Sequence, residues 1–549
     1  MKHDSTLSRQ IKPATLSFLI FCFSLILFAS NFSDELTGFQ TRMVLFARYM
    51  LQDGPSFFPH TYTGPYPDYP ATSTFLIYLS SLALGNLTPF SALLPTAVVS
   101  ALIIAVTFRI GALHSTMWGL FGAMFSLLTH SVVEESRSIS LDQYTSLVTV
   151  SAFYLAYSEN ASNRKSRLAL IPLLMAAGFL FRGPIGLVVP TGVLSGYYLL
   201  KKDYRRLMYI LSSGVILLAL CSALLLYCAY LEGGTHFVDR VLHFQVLGRI
   251  SGQPARGYAY YILEGLGPYA LGYPLALFVI ALHLRPLFRD SNSDMALLRH
   301  LALWIAIVIL GMSLAGTKHM RYILPAAPAL SLAAAYVFIS PLENAVLSMT
   351  KKVFLGFFSL LPIILFFTSL FGAALEHRFF PDMEVPWTGI SISFGFLSIM
   401  VRAIKSRVAD PVNRSLSITA VAVLAFFVVH VFVMEAISYG REKTQPFAEG
   451  LKELTKQRPG KVVFYKIGPD GEDIRLIANM DNLIHPDFIR NPSDILAYQS
   501  VAYFIAETKK FKLLPTDIAD HVALEFQGNV GHRDCVIFTI KDFEENNGS

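Results

Sequence analysis

The chain has 549 residues, of which 54% are hydrophobic and only 15% are charged, and its formal net charge is +6. A composition so rich in apolar residues excludes an ordinary soluble protein. Apolar runs recur up to about residue 438, and a run of roughly 20 such residues crosses a hydrocarbon layer about 30 Å thick. The sequence therefore predicts a polytopic α-helical membrane protein.

The first apolar run, PATLSFLIFCFSLILFASNF, follows a short basic leader. It is long for the core of a signal peptide, and no small-x-small cleavage site precedes SDEL. We therefore expect an uncleaved first span that starts in the cytoplasm.

Basic clusters decide the number of spans, because Lys and Arg are enriched in cytoplasmic loops. The clusters are MKHDSTLSRQIK, NRKSR, KKDYRR, TKK and RAIKSR. Thirteen spans keep all of them inside, at 13–32, 90–110, 115–133, 142–158, 168–181, 184–200, 207–231, 258–283, 299–315, 320–340, 353–374, 388–402 and 415–438. TSTFLIYLSSLALG, at 72–85, is assigned to a helix in the membrane interface, because a further span there would place NRKSR, KKDYRR and RAIKSR outside.

An odd number of spans places the last 110 residues on the outer side of the membrane. There PFAEGLKELTKQ predicts a helix, while KVVFYKI, SVAYFIAE and CVIFTIK predict short buried strands. We predict a transmembrane domain of residues 1–439, with interfacial helices in its outer loop 33–89, and a small extracytoplasmic α/β domain of residues 440–549. Three of the four cysteines lie in apolar runs, so no disulfide framework or cysteine-based zinc site is predicted.

Carboxylates and cations gather on the predicted outer face, whereas the inner clusters are almost purely basic. Arg182 lies there at the tight turn of FRGPIGLVVP, where the alternative is an arginine that only snorkels to the interface. A positioned carboxylate can take a proton from a nucleophile, and Arg and Lys can stabilise charge on a departing phosphate. This mixture predicts transfer of a group from a lipid phosphate, with structural ion pairs or an ion pathway as alternatives.

Five short motifs on this face occur in a recognisable order. They are RMVLFARYMLQDG followed by GPYPDYP, SRSISLDQYTSLV, FRGPIGLVVP, QPARGYAYYILEGLGPYALGYPL and SLAGTKHMRYILPAAPAL. In this order they resemble the bacterial aminoarabinose-transferase and protein-mannosyltransferase-like glycosyltransferases of the GT-C class, over nearly the whole chain. The resemblance implies a membrane enzyme that takes a sugar from a polyprenyl phosphate.

The residues match this family unevenly. Asp142 fits the family's Leu-Asp position, and Lys318 with Tyr322 fits its late Thr-Lys motif. Arg182 replaces the family's lysine before Gly-Pro, which keeps a cation and offers a planar fork to a phosphate. Tyr69, next to Asp68, stands where the family has a lysine.

The family's acidic pair is displaced in this chain. An ungapped match around Arg42 puts Phe39 and Gln40 at its positions, so the first-loop base would be Asp34 or Glu35, five residues earlier. The resemblance thus implies four candidate catalytic carboxylates, namely Asp34, Glu35, Asp68 and Asp142. Asp142 begins a span, so a helix N-cap is its structural alternative. The implied donor-phosphate residues are Arg42, Tyr69, Arg182, Arg249, Arg256, Lys318, Arg321 and Tyr322.

The implied reaction is an inverting sugar transfer at the outer face of the bacterial inner membrane, to a lipid, glycan or protein acceptor. The N-terminus would be cytoplasmic and the C-terminal domain periplasmic. The expected partners are a polyprenyl-phosphate-linked sugar, an envelope lipid or glycan and membrane lipids, without nucleic acid. No cofactor is predicted, and a divalent metal is left open. The alternatives are a transporter and a non-catalytic lipid-phosphate-binding protein.

Overall fold

The computed structural model describes residues 12–30, 36–162, 168–247, 257–289, 292–340, 345–379, 385–440, 444–480 and 483–541. The chain forms two compact units. Unit 1 contains residues 1–30, 67–72 and 93–433, and unit 2 contains residues 31–66, 73–92 and 434–549. The predicted division into domains 1–439 and 440–549 stays a prediction.

Helices dominate the first 440 residues. In chain order they are α1 (Pro13–Ala29), α2 (Phe39–Asp53), α3 (Thr72–Leu84), α4 (Pro89–Ala112), α5 (Thr116–Leu127), α6 (His130–Ser136), α7 (Leu141–Ser162), α8 (Leu170–Arg182), α9 (Pro184–Leu200), α10 (Tyr204–Leu242), α11 (Tyr260–Leu263), α12 (Gly272–Leu282), α13 (Leu284–Arg289), α14 (Ser293–Ser313), α15 (Ala327–Ile339), α16 (Ala345–Phe379), α17 (Trp387–Arg407), α18 (Pro411–Val429) and α19 (Ala436–Gly440).

Seven helical stretches among the described residues are long and apolar enough to cross a membrane. The number is eight if α5 and α6, which meet at an angle of 72°, are counted as one bent span. Five apolar helices are shorter, namely α1, α3, α8, α9 and α12. The predicted multi-pass helical fold is confirmed, whereas the count of thirteen spans is not.

Two predicted spans contain breaks where the chain carries helix-breaking residues. The predicted span 258–283 consists of α11, a 3-10 turn (Glu264–Leu266) and α12, with Leu271 at φ +67° between them. Pro268 removes an N–H and limits φ within this stretch. The predicted span 320–340 begins as a 3-10 helix, Met320–Ala326, before α15. Apolar composition alone does not report these interruptions.

Helices α8 and α9 form a tight hairpin in which the two backbones contact each other at glycine residues. A Cβ atom on Gly178 would lie 2.1 Å from the carbonyl oxygen of Gly186, and one on Gly186 would lie 2.0 Å from that of Gly178. Any side chain at either position would separate the two backbones. The hairpin therefore depends on glycine at this crossing, and it fixes where its turn lies.

Unit 2 contains a five-stranded mixed sheet. Besides the helices already named, the elements of unit 2 are β1 (His60–Thr61), β2 (Gly64–Pro65), α20 (Thr444–Gln457), β3 (Lys461–Tyr465), α21 (Glu472–Ala478), β4 (Asp487–Ile489), β5 (Ala502–Glu507), α22 (Thr508–Phe511), α23 (Thr516–Ala519), β6 (Val522–Val530) and β7 (Arg533–Ile540). Strands β3 to β7 form the sheet. The sheet order is β4-β3-β5-β7-β6; β3 is parallel to β4 and β5, and β7 is antiparallel to β5 and β6. The predicted C-terminal α/β fold is confirmed.

Helix α2, from the first long loop, is part of the core of unit 2. Leu45 and Tyr49 pack in one cluster with buried side chains of α20, α21 and the sheet. Arg48 donates to the carbonyl oxygens of Ile477 and Ala478, both at 3.2 Å, at the end of α21. A cation at a helix C-terminus satisfies carbonyl groups that have no partner within the helix. The first loop and the C-terminal residues thus share one hydrophobic core.

Candidate active site

A buried ion pair joins the start of α7 to the end of α8. Arg182 Nε donates to Asp142 Oδ1 at 2.9 Å, and Arg182 Nη2 donates to Asp142 Oδ2 at 3.3 Å. Arg182 is only 6% exposed and Asp142 only 4%. Two parallel charge-assisted hydrogen bonds fix both side chains, and each charge compensates the other's loss of hydration. The Asp142 carboxylate therefore binds a cation, instead of a backbone N–H group as a helix N-cap would.

The sequence Arg-Gly-Pro explains why α8 ends at Arg182. Gly183 has φ +60°, which glycine adopts without steric cost, and Pro184 is pre-organised as the first residue of α9. A Cβ atom on Gly183 would lie 2.1 Å from Cε1 of the Tyr69 ring. Glycine at this position is therefore needed both for the turn and for the close approach of Tyr69.

Two tyrosine rings face the Arg182 guanidinium. Its central carbon lies 5.9 Å from the ring centroid of Tyr69 and 5.4 Å from that of Tyr322. Attraction between a cation and an aromatic ring at this range strengthens when water is excluded. Tyr69 and Tyr322, both predicted as donor-phosphate residues, thus contact the ion pair through their rings.

Arg321 approaches the same carboxylate from the 3-10 segment before α15. Its Nε lies 3.4 Å from Asp142 Oδ2, and its side chain is 30% exposed. Asp142, Arg182 and Arg321 form the arginine cluster. Glu135, on α6, interacts electrostatically with Arg321 and Asp142. The three members alone carry a formal net charge of +1, Glu135 adds a carboxyl group beside them, and Arg321 is the half-exposed cation.

Lys318 is buried in the loop that precedes the 3-10 segment of Arg321. Its Nζ donates to the carbonyl oxygen of Ala315 at 2.7 Å and lies 5.6 Å from the ring centroid of Tyr258. Tyr269 donates its hydroxyl to the carbonyl oxygen of Met320 at 3.0 Å. Tyr258 and Tyr269 thereby hold the loop in place.

Two of the predicted catalytic carboxylates, Asp68 and Asp142, lie among the described residues. Of these two, Asp68 has a carboxylate oxygen that accepts no hydrogen bond from a described residue. Its Oδ1 accepts hydrogen bonds from the backbone N–H of Tyr69 at 2.8 Å and from Gln245 Nε2 at 3.0 Å. In the part of the chain that the structure describes, no lysine, arginine or histidine forms an ion pair with it. Asp68 is half-buried and precedes Tyr69, which contacts the arginine cluster.

The remaining predicted residues are not brought into this cluster by the described contacts. Arg42 belongs to unit 2, where its guanidinium carbon lies 5.2 Å from the ring centroid of Tyr66. Four predicted site residues lie outside the described residues, namely Asp34, Glu35, Arg249 and Arg256. Within the described ranges, no group of three or more His, Cys, Asp or Glu side chains is arranged to hold a metal ion.

Sequence reasoning did not assign site roles to Glu135 and Gln245. Glu135 precedes the Ser-Arg-Ser-Ile-Ser-Leu-Asp motif and could have been selected as a charge next to Asp142. Gln245 follows a long apolar helix and lies 177 residues from Asp68 in the chain, so no local pattern links the two.

Comparisons with known proteins agree with the predicted resemblance. The family model described as dolichyl-phosphate-mannose-protein mannosyltransferase matches residues 68–230. The undecaprenyl phosphate-alpha-4-amino-4-deoxy-L-arabinose arabinosyl transferase of Shewanella sediminis is 27% identical over 283 residues. That alignment covers 49% of this chain and 50% of the relative, so the matched part spans half the length of that curated protein.

Two solved structures of ArnT from Cupriavidus metallidurans have a similar fold. The form bound to undecaprenyl phosphate matches with a TM-score of 0.70 at 14% identity, covering 97% of this chain and 98% of ArnT. The apo form matches with a TM-score of 0.71 at 14% identity, covering 96% and 98%. These likenesses show that the chain has the fold of ArnT, and the family match supports its resemblance to aminoarabinose-transferase-like and protein-mannosyltransferase-like proteins of the GT-C class.

Proposed function

We propose that this protein is a glycosyltransferase that moves a sugar from a polyprenyl phosphate to a lipid, glycan or protein acceptor. The observation that carries the proposal is the arginine cluster, whose neighbour Tyr69 directly follows the half-buried carboxylate of Asp68. The family match and the name of the arabinosyl transferase relative support this class of donor.

The arginine cluster would stabilise the departing lipid phosphate. Asp142 contacts both arginines, so the cluster presents two guanidinium groups in fixed positions to an anion. As the bond between sugar and phosphate breaks, its electron pair moves to a phosphate oxygen and negative charge grows there. A cation fixed in advance by Asp142 stabilises that charge without reorganising during the reaction. Arg321, which is half-exposed, is the member that an incoming phosphate would reach first.

A carboxylate would activate the acceptor. As the acceptor's hydroxyl or amine attacks the anomeric carbon opposite the phosphate, its proton moves to the base and the configuration inverts. Asp68 fits this role among the described residues, because no cation neutralises it there. Asp142 fits less well, since arginines occupy both of its oxygens. Asp34 and Glu35 stay alternative candidates.

The proposed location is the inner membrane of a bacterium. The basic loops support a cytoplasmic N-terminus and periplasmic C-terminal residues. A polyprenyl-linked donor held at the outer leaflet would then meet its acceptor on the periplasmic side.

Substitution of the candidate bases tests the proposal. We expect Asp68→Asn to slow sugar transfer about 10²- to 10⁴-fold while binding of the polyprenyl-phosphate sugar persists. Asp53→Asn, which removes an exposed carboxylate of the same loop, is the matched control and should leave transfer unchanged. Normal turnover by Asp68→Asn together with loss in Asp34→Asn or Glu35→Gln would move the base to the start of the loop. Donor binding without consumption by the wild-type protein would instead indicate a lipid-phosphate-binding protein.

A further inference from the structure

An open apolar groove lies between α7 and α8, away from the arginine cluster. Its volume is about 450 Å³, and it is lined by Ser151, Tyr154, Leu155, Leu170, Leu173 and Leu174. Leu170 is 48% exposed and Leu173 is 66% exposed. In a chain that crosses a membrane, such a surface faces lipid chains instead of water.

Among the described residues, a cation lies beside this groove. Arg109, in the last turn of α4, donates from Nη2 to the hydroxyl oxygen of Tyr154 at 3.0 Å and from Nε at 3.3 Å. Its guanidinium carbon lies 5.8 Å from the Tyr154 ring centroid. In the ranges that the structure describes, no carboxylate pairs with Arg109. A cation at the end of an apolar span without a protein anion needs water or an anionic ligand.

The hydrogen-bonding capacity of this pair is only partly used. The Tyr154 oxygen accepts from Arg109, which leaves the hydroxyl hydrogen available for donation. Arg109 Nη1 makes no hydrogen bond to any described residue. A phosphate oxygen beside the two side chains could therefore accept from Nη1 and from the tyrosine hydroxyl. Such contacts are charge-assisted and stronger than those between neutral groups.

The groove is a different place from the proposed donor-phosphate site. Tyr154 follows Asp142 by twelve residues on α7, and Leu170 precedes Arg182 by twelve residues on α8. At a rise of 1.5 Å per residue, both helices separate the two regions by about 18 Å along their axes. That is more than half of a hydrocarbon layer about 30 Å thick, so the groove belongs to the opposite half of the bilayer.

We propose that this groove binds an anionic phospholipid of the bilayer. One acyl chain lies along the leucines of α8, and the phosphate lies against Arg109 and the hydroxyl of Tyr154. Charge selects the occupant, because a zwitterionic lipid brings its own cation to the guanidinium and gains less from it. By the positive-inside topology, the lipid belongs to the cytoplasmic leaflet.

Lipid binding to the full-length protein tests this site. The protein is delipidated in detergent, titrated with phosphatidylglycerol or phosphatidylcholine, and its bound lipids are counted by native mass spectrometry. We expect the wild-type protein to retain phosphatidylglycerol over phosphatidylcholine. Arg109→Gln should weaken that retention about tenfold, which is the loss of roughly one charge-assisted contact. Tyr154→Phe, which preserves the ring and its packing, should weaken it about threefold to tenfold and covers the case in which Arg109→Gln does not fold.

Arg205→Gln is the matched control, because it removes an exposed cation at the start of α10 and should retain lipid as the wild type does. Equal retention of both lipids by the wild-type protein would overturn the proposal. So would undiminished phosphatidylglycerol binding in Tyr154→Phe, or an equal loss in the control. Displacement of phosphatidylglycerol by polyprenyl phosphate at equal concentration would assign the groove to the donor lipid instead.

Discussion

Removal of the Arg182 guanidinium should destabilise unit 1 strongly. In Arg182→Met the Asp142 carboxylate, only 4% exposed, keeps Arg321 at 3.4 Å as its remaining cationic neighbour in the cluster. Two hydrogen bonds, of 2.9 and 3.3 Å, are lost together. Breaking a buried ion pair by removing one partner costs about 3 to 5 kcal/mol, because the other charge stays buried. The retained contact with Arg321 places the expected loss near the lower end of that range.

A double-mutant cycle separates this penalty from the value of the pair. Asp142→Leu combined with Arg182→Met removes both charges, so the double variant should be more stable than the sum of the single losses by about 1 to 3 kcal/mol. The free energy of unfolding is measured by denaturant titration of the full-length protein in detergent. Arg182→Lys should lie between wild type and Arg182→Met, since an ammonium cannot form the paired hydrogen bonds.

A half-exposed pair gives the control for this cycle. Arg206 and Asp203 lie 3.4 Å apart at the start of α10, with side chains 28% and 31% exposed. Arg206→Met should cost less than about 1 kcal/mol. Losses at Arg182 and Asp142 that add to within about 0.5 kcal/mol would refute the buried pair. If the double variant folds but binds a polyprenyl-phosphate donor as the wild type does, the pair has a structural role alone.

Three further outcomes are expected. Arg48→Met should destabilise unit 2 by about 1.5 to 3 kcal/mol and accelerate hydrogen exchange in α21; unchanged exchange would contradict the anchoring of α2. Burial raises the pKa of Asp473 to about 6, above an unfolded value near 3.9, so the folded state holds the proton longer and stability falls as pH rises between about 4 and 6. Asp473→Asn should lack this loss, so its free energy of unfolding relative to that of the wild type should rise by up to about 3 kcal/mol as pH rises from about 4 to about 6, measured by thermal unfolding. A difference that does not change with pH would refute the titration of Asp473. Gln245→Leu should lower kcat about threefold to tenfold through misplacement of Asp68, with donor KM unchanged; an unchanged kcat would remove Gln245 from the site.

The broad fold could be predicted because apolar runs and basic loops are local signals. The predicted span 184–200 coincides with α9, Pro184–Leu200, since proline begins that helix and a lysine pair follows it. The predicted span 258–283 was wrong as one helix. Its apolar composition suits a membrane, but Pro268 and the positive φ at Leu271 interrupt it. A window that averages hydropathy does not register such breaks.

The candidate site was predictable as a set of side chains and not as a set of contacts. Asp142 and Arg182 could each be selected from short motifs, yet they lie 40 residues apart and their pairing depends on how α7 packs against α8. Arg182 was expected to bind a phosphate directly, whereas the structure gives it a carboxylate partner. Its role toward the donor stays a prediction.

Consumption of the donor by the purified wild-type protein tests the central claim most directly. The protein is incubated with a polyprenyl-phosphate-linked sugar and envelope lipids, and free polyprenyl phosphate is measured by mass spectrometry together with the glycosylated acceptor. We predict that the two products appear in equal amounts and that both fall about 10²-fold or more in Asp68→Asn. Donor that binds and is recovered intact would contradict sugar transfer, and the arginine cluster would then serve lipid-phosphate binding without chemistry.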